Sequence, residues 1–244
     1  MSEWWDGIKA DFVLNFIKED RWMLLATGLG NTLKITFVAL IIGILLGSIV
    51  ATVRSTYDKN GADMSKRNKG GYVVLSIFNI ICKLYLTVIR GTPMVVQLLI
   101  MYFIIFASSK NGLMVAMIAF GINSGAYVAE IIRGGIMSID NGQFEAGRSL
   151  GFNYLQTMRY IIVPQTIKNV LPSLMNEFIA LLKETSVAGY VAVQDLTKAG
   201  DIIRSRTYSA FMPLIAVALI YLIVVMFFTW LVGKLERRLR ASDH

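Results

Sequence analysis

The chain has 244 residues, 55% hydrophobic and 16% charged, with a mean hydropathy of +0.59. A soluble domain carries about 25% charged residues, so this composition excludes an ordinary soluble globule and indicates a membrane protein. The net charge of +8 does not point to nucleic acid, because the basic residues cluster beside apolar runs instead of forming one patch with interleaved aromatics.

With four prolines and no low-complexity tract, residues 1–244 read as one domain. The single cysteine, Cys82, excludes an internal disulfide. Residues 1–28 lean acidic (Glu3, Asp6, Asp11, Glu19 and Asp20 against Lys9, Lys18 and Arg21) and carry Trp4, Trp5, Phe12 and Phe16. This pattern predicts a helix lying in the outer membrane interface, and the missing basic n-region argues against a signal peptide.

Apolar runs at 29–53, 112–132 and 211–233 are each long enough to cross about 30 Å of hydrocarbon. Residues 172–192 form a weaker span, broken by Glu177, Lys183 and Glu184. Residues 72–108 are ambiguous, interrupted by Lys83 and by Arg90-Gly91-Thr92-Pro93. Orientation follows from the basic residues. Arg54, Lys59, Lys66, Arg67 and Lys69 mark one cytoplasmic loop; Arg133, Arg148, Arg159 and Lys168 mark a second; Lys234, Arg237, Arg238 and Arg240 mark a cytoplasmic C-terminus.

Two loops on one side are joined by an even number of crossings. Since 112–132 supplies one, 72–108 supplies an odd number, most simply one. We expect an amphipathic helix at 72–89 on the cytoplasmic side, a break at Gly91-Thr92-Pro93, a crossing through 94–108, and an outer turn at Ser108-Ser109-Lys110-Asn111-Gly112. The predicted fold is all-α: a polytopic bundle of about five transmembrane helices, N-terminus outside.

The polar stretch at 136–168 is the most distinctive. Asp140 and Asn153 each precede a glutamine by three residues, Gln143 and Gln156, which predicts two capping boxes. Gly151 suits the left-handed turn that ends a helix. Pro164 is expected to break the second helix. Ala146 and Gly147 carry little side chain, so another surface could approach their backbone closely.

An ionisable group at bilayer depth costs about 2.5–3.5 kcal/mol on insertion scales and normally faces protein or a water-filled path. Glu130 has Arg133 three residues on, so it reads as a local rim pair or as part of a substrate path. Glu177, beyond Pro172, is harder to place at a rim. Gln97 and Asn123 are neutral polar groups near span interiors that suit helix–helix bonds or a ligand. Arg90 fits a charge held at the interface where the helix breaks, and such breaks expose backbone groups that suit a zwitterion. Lys183, Glu184, Thr185 and Ser186 suit a network between helices.

No catalytic chemistry is legible. The only histidine is His244, and neither a phosphate-binding loop nor a metal-ligand spacing occurs. The chain is expected to be no enzyme and to need no metal or cofactor.

Glu145-Ala146-Gly147, with Gly151, Ile161 and Pro164 at their spacings, resembles the EAA loop of ATP-binding-cassette importer permeases. Gly147 stands where a second alanine is common, and Val163 where leucine is common. Val88–Gln97, Ser124–Gly135 and Leu182–Ser186 are similar to the polar amino-acid uptake branch of that family, and the similarity extends over about 25–240.

The resemblance implies the permease subunit of an ATP-driven importer of a polar or charged amino acid in a bacterial cell membrane. It implies that Gln143, Glu145, Ala146, Gly147, Leu150 and Gly151 couple to the ATPase. It further implies a second permease subunit (identical or homologous), two ATPase subunits and an external amino-acid-binding protein. On this reading Gln97, Asn123, Glu130 and Glu177 are the candidates for the substrate path. The rival is a secondary transporter or channel driven by an ion gradient, which needs no such loop.

Overall fold

The computed structural model describes residues 2–241, and every regular element among them is helical. In order these are α1 (Ser2–Phe12), α2 (Trp22–Arg67), α3 (Lys69–Gly91), α4 (Met94–Ile100), α5 (Gly112–Met137), α6 (Asn141–Ser149), α7 (Tyr154–Thr157), α8 (Val163–Glu184), α9 (Leu196–Thr207) and α10 (Phe211–Ala241). Widened π turns follow α1, α4 and α7, and a tighter 3₁₀ stretch, Thr185–Val191, follows α8. By length and composition, four helices among the described residues can cross a membrane: α2, α3, α5 and α10.

One expectation changes. The basic stretch after residue 53 is not a loop, because α2 continues to Arg67. Asn60-Gly61 is the one turn signal in Arg54–Arg67, and the helix runs through it because no proline interrupts and glycine costs only about 1 kcal/mol. The segment expected to be an amphipathic surface helix is the helix α3, and its far end, Lys83–Arg90, lies level with Arg54 and Glu130; by length and composition alone its 23 residues could also cross. After the break Met94–Ile105 is helical and apolar and covers about 18 Å at 1.5 Å per residue. The expected break does lie at Thr92-Pro93, where Thr92 is extended and its hydroxyl donates to Val88 O at 2.8 Å.

The helices group into two compact units. One comprises Met1–Ala39, Met94–Phe120 and Phe178–Leu231. Its core packs Phe16 and Leu25 on Leu196, Ala199, Ile203 and Val217. Trp4, Trp5 and Phe12 are exposed, in keeping with an interfacial helix, but Phe16 is buried in this core. The reason is Asn15 beside it, which is also buried: it donates to Asp11 O at 2.8 Å and accepts from the Thr207 hydroxyl at 2.8 Å.

In the same unit, buried Asp195 caps α9, a polar helix outside the candidate spans. Its carboxylate accepts from the amides of Thr197 and Lys198, each at 3.1 Å. Burial nevertheless pushes its pKa up. A carboxyl with a raised folded-state pKa contributes most below about pH 4, and stability is lost as pH rises through the folded value. Asp195→Asn keeps a capping oxygen and removes the buried charge. Its unfolding temperature is expected to fall less than that of the unmodified chain between acid and neutral pH. Asp195→Ala lacks the cap and loses about 1 kcal/mol. Parallel pH curves for the unmodified chain and Asp195→Asn would contradict this account.

The other unit comprises Leu40–Pro93, Gly121–Glu177 and Val232–His244. Here α3 lies along α2 and α5. Tyr57 stacks on Tyr72 at 6.0 Å, the Tyr85 hydroxyl donates to Ile122 O, and Leu86 packs on Ala126 and Ala129.

Candidate functional site: a capped bend and the polar groups of the spans

The most sharply built local structure lies in the second unit, where α6 and α7 meet. α6 is seated by Phe144, which is buried with Ile136, Ile139 and Ile162. At its start Asp140 accepts from Gly142 N at 2.6 Å. The expected reciprocal bond from Gln143 is replaced: Gln143 Oε1 accepts from Gln165 Nε2 at 3.3 Å, because α8 offers a donor beside it. The second capping box is complete. Gln156 N donates to Asn153 Oδ1 at 3.0 Å, and Asn153 N donates to Gln156 Oε1 at 2.9 Å.

Between the two caps α6 ends in a Schellman turn. Gly151 N donates to Arg148 O at 2.9 Å and Phe152 N donates to Gly147 O at 3.0 Å. Gly151 adopts φ +80°, the left-handed conformation expected for it, with no atom near the position of a Cβ. Glycine takes this conformation without strain. The bend is therefore held by backbone geometry at both ends.

Gly147 behaves differently from expectation. It is buried, and a Cβ there would lie 2.6 Å from Thr157 Oγ1. Its small size lets α6 close onto α7, so it does not offer backbone to an outside surface. The outward face consists of Gln143, Glu145, Ala146, Leu150 and Gly151, all exposed. The structure adds Leu155 and Tyr160, 76% and 61% exposed, beside Leu150 at 70%. Bare leucines flanking a polar bend were the overlooked signal, since a soluble hairpin would turn them inward.

Pro164 does not break the chain's course as expected. It occupies the first turn of α8, where its missing donor costs little, directly after the π turn Met158–Ile162. The far end of α2 reaches the same place: Lys59 Nζ donates to Asn141 Oδ1 at 2.7 Å and lies 5.0 Å from the Phe144 ring centre. Between them is a hollow of about 590 Å³, lined among others by Asp63, Arg67, Glu145, Arg148 and Asn153.

The polar groups of the spans are paired across helices. Glu130 does not pair with Arg133 as the spacing suggested. Arg90 lies 3.7 Å from Glu130, while Arg133 donates through Nε and a terminal nitrogen to Asp58 Oδ2 at 2.9 and 2.7 Å. Cross-helix partners on α3 and α2 thus take both members of the expected pair. Glu177 accepts from the buried Ser124 hydroxyl at 2.9 Å, next to buried Asn123. Ser124 and Glu177 are brought together in this way; Glu130 lies seven residues further along α5 than Asn123, and Gln97 belongs to the other unit. Arg90 sits at the end of α3, before the break formed with Gly91, Thr92 and Pro93.

Among the described residues no group of His, Cys, Asp or Glu could hold a metal ion. Four helices of membrane-spanning length and composition, with an exposed polar bend between α6 and α7, mark a polytopic membrane protein. Residues 43–241 match the family described as binding-protein-dependent transport system inner membrane component, and the chain belongs to that family.

Relatives agree. The chain is 36% identical over 211 residues to the putative glutamine transport system permease of Rickettsia typhi, covering 85% of this chain and 89% of the relative. It is 35% identical over 220 residues to the arginine transport system permease of Bacillus subtilis, covering 88% and 92%. Among solved structures, an amino acid ABC transporter crystallised with histidines is 40% identical with a TM-score of 0.77, covering 91% of this chain and 98% of that one. The MetNI methionine ABC transporter, at 20% identity and a TM-score of 0.73, shares the fold over 89% and 97%. The chain is thus a membrane permease component and not the ATPase of such a system. The family works with ATPase and substrate-binding partners and resides in the inner membrane.

Proposed function

We propose that this chain is the permease subunit of an ATP-driven importer that passes a polar or charged amino acid into the cytoplasm. The observation that carries the reading is the α6–α7 bend, locked at both ends and exposing Glu145, Ala146, Leu150 and Leu155. Two ATPase subunits dock on this bend, one per permease chain of a homo- or heterodimer, and an external binding protein delivers the amino acid. The relatives that transport glutamine or arginine support the substrate class. Closure of the ATPase pair moves the bend, and the seated α6 transmits that motion to α5 and α8 as a rigid body. The candidates for lining the path are Glu177, Asn123, Glu130 and Gln97, in a single domain of five crossings whose N-terminus is outside and C-terminus inside.

Orientation is tested by accessibility labelling. Tags at Lys66 and Arg148 are expected to be cytoplasmic, and tags at Asn111 and Lys198 external. Opposite sides for Lys66 and Arg148 would exclude the five-crossing arrangement. The function itself is tested by reconstitution with the ATPase subunit and the binding protein in proteoliposomes. Uptake of a polar amino acid that requires ATP is the expected result, whereas uptake driven by an ion gradient without the ATPase would favour the secondary-transporter reading.

A further inference from the structure

A second hollow of the α2–α3–α5 unit, about 420 Å³, is lined by Arg54, Lys83, Leu86, Thr87, Arg90 and Glu130, among others. Three cations face one carboxylate there, and that carboxylate is already engaged by Arg90 at 3.7 Å. Arg54 Nε is buried and meets no hydrogen-bond partner. Lys83, Thr87 and Arg90 follow one another on a single face of α3, and all three are exposed. They span about 10 Å along the helix. A charged hollow of this make-up calls for an anion.

Its surroundings say which kind. Beside the hollow, α3 exposes Ile80, Ile81, Leu84 and Val88, an apolar surface fit for acyl chains. Arg54 is the first charge after the apolar run 29–53, which places the hollow where hydrocarbon gives way to head groups. Basic pockets between membrane helices on the cytoplasmic side suit anionic head groups. We propose that this hollow binds the phosphate of an anionic phospholipid of the cytoplasmic leaflet, with the acyl chains lying along α3. A free phosphate offers the same anion but nothing for the apolar surface. The head group of a zwitterionic lipid brings a cation toward Arg54 and Lys83. The assignment rests on the proposed orientation, which labelling at Lys66 reports independently.

The test uses the full chain in vesicles with spin-labelled phosphatidylglycerol or phosphatidylcholine, reading the motionally restricted fraction of each. It involves neither the ATPase nor transport, so its failure is separable from failure of the importer reading. Phosphatidylglycerol is expected to be retained in preference. Lys83→Gln, at an exposed position with no packing role, should lower that preference about fivefold, the effect of one basic residue near an anionic surface. Arg54→Gln combined with Lys83→Gln should remove it. Inorganic phosphate should compete no better than chloride at equal ionic strength. Equal retention of the two lipids, or an unchanged preference in Lys83→Gln, would overturn the assignment. Displacement by inorganic phosphate would overturn it in favour of a free anion. Loss of restricted lipid of both kinds would overturn it in favour of a second protein surface over the hollow.

Discussion

Gly147→Val is expected to abolish substrate-stimulated ATP hydrolysis in the assembled importer while leaving the spans inserted. A Cβ at this position would lie 2.6 Å from Thr157 Oγ1 and 2.7 Å from its Cγ2, distances that side chains do not tolerate. Thr157 cannot retreat easily, because it is buried and its hydroxyl donates to Asn153 O at 3.1 Å within the second cap. α6 must therefore lift from α7, at about 1–3 kcal/mol for overpacking. The lifted helix no longer holds Glu145, Ala146 and Leu150 in register with Leu155. Gly151→Leu acts in the same direction by a different cause. Space at Gly151 is open, but φ +80° costs leucine about 1–2 kcal/mol. Proteoliposomes of either variant with the ATPase subunit provide the measurement. Unmodified hydrolysis and uptake from both would make the bend an ordinary hairpin.

Glu177→Gln is expected to lower uptake by about tenfold or more, with assembly intact. Glu177 is the carboxylate that meets Ser124, and a hydrogen bond to a charged group is worth about 1.5–3 kcal/mol against about 1 for a neutral one. Glutamine keeps an acceptor for Ser124, so folding is preserved and only the charge is removed. If the charge touches the passing amino acid, the loss falls on uptake and is larger for cationic than for neutral substrates. Equal uptake of both by the variant would assign Glu177 to helix packing.

Features decided by neighbours in sequence were legible before the structure. The positive φ of Gly151, the Asn153–Gln156 capping box and the break at Thr92-Pro93 depend on backbone geometry within a few residues. The membrane class and the permease class were legible too, the first from composition and the second from the motif around Glu145. Features decided across the fold were not. Glu130 and Arg133 share a helical face, yet their partners come from α3 and α2, which no spacing on α5 reveals. Gly147 and Ala146 are equally small in sequence, but only the packing of Thr157 determines which of them faces inward. Arg54–Arg67 is polar and yet continues α2, and polarity alone did not distinguish a projecting helix from a loop.

The central claim, that the α6–α7 bend is the contact through which ATP hydrolysis drives this permease, is tested most directly by amide hydrogen exchange. The membrane-embedded chain is compared with and without its ATPase subunit, following the amides of residues 145–157. Their slowing on complex formation, with the amides of α9 unchanged, is the predicted result. A complex that forms and hydrolyses ATP while these amides exchange at their original rates would contradict it.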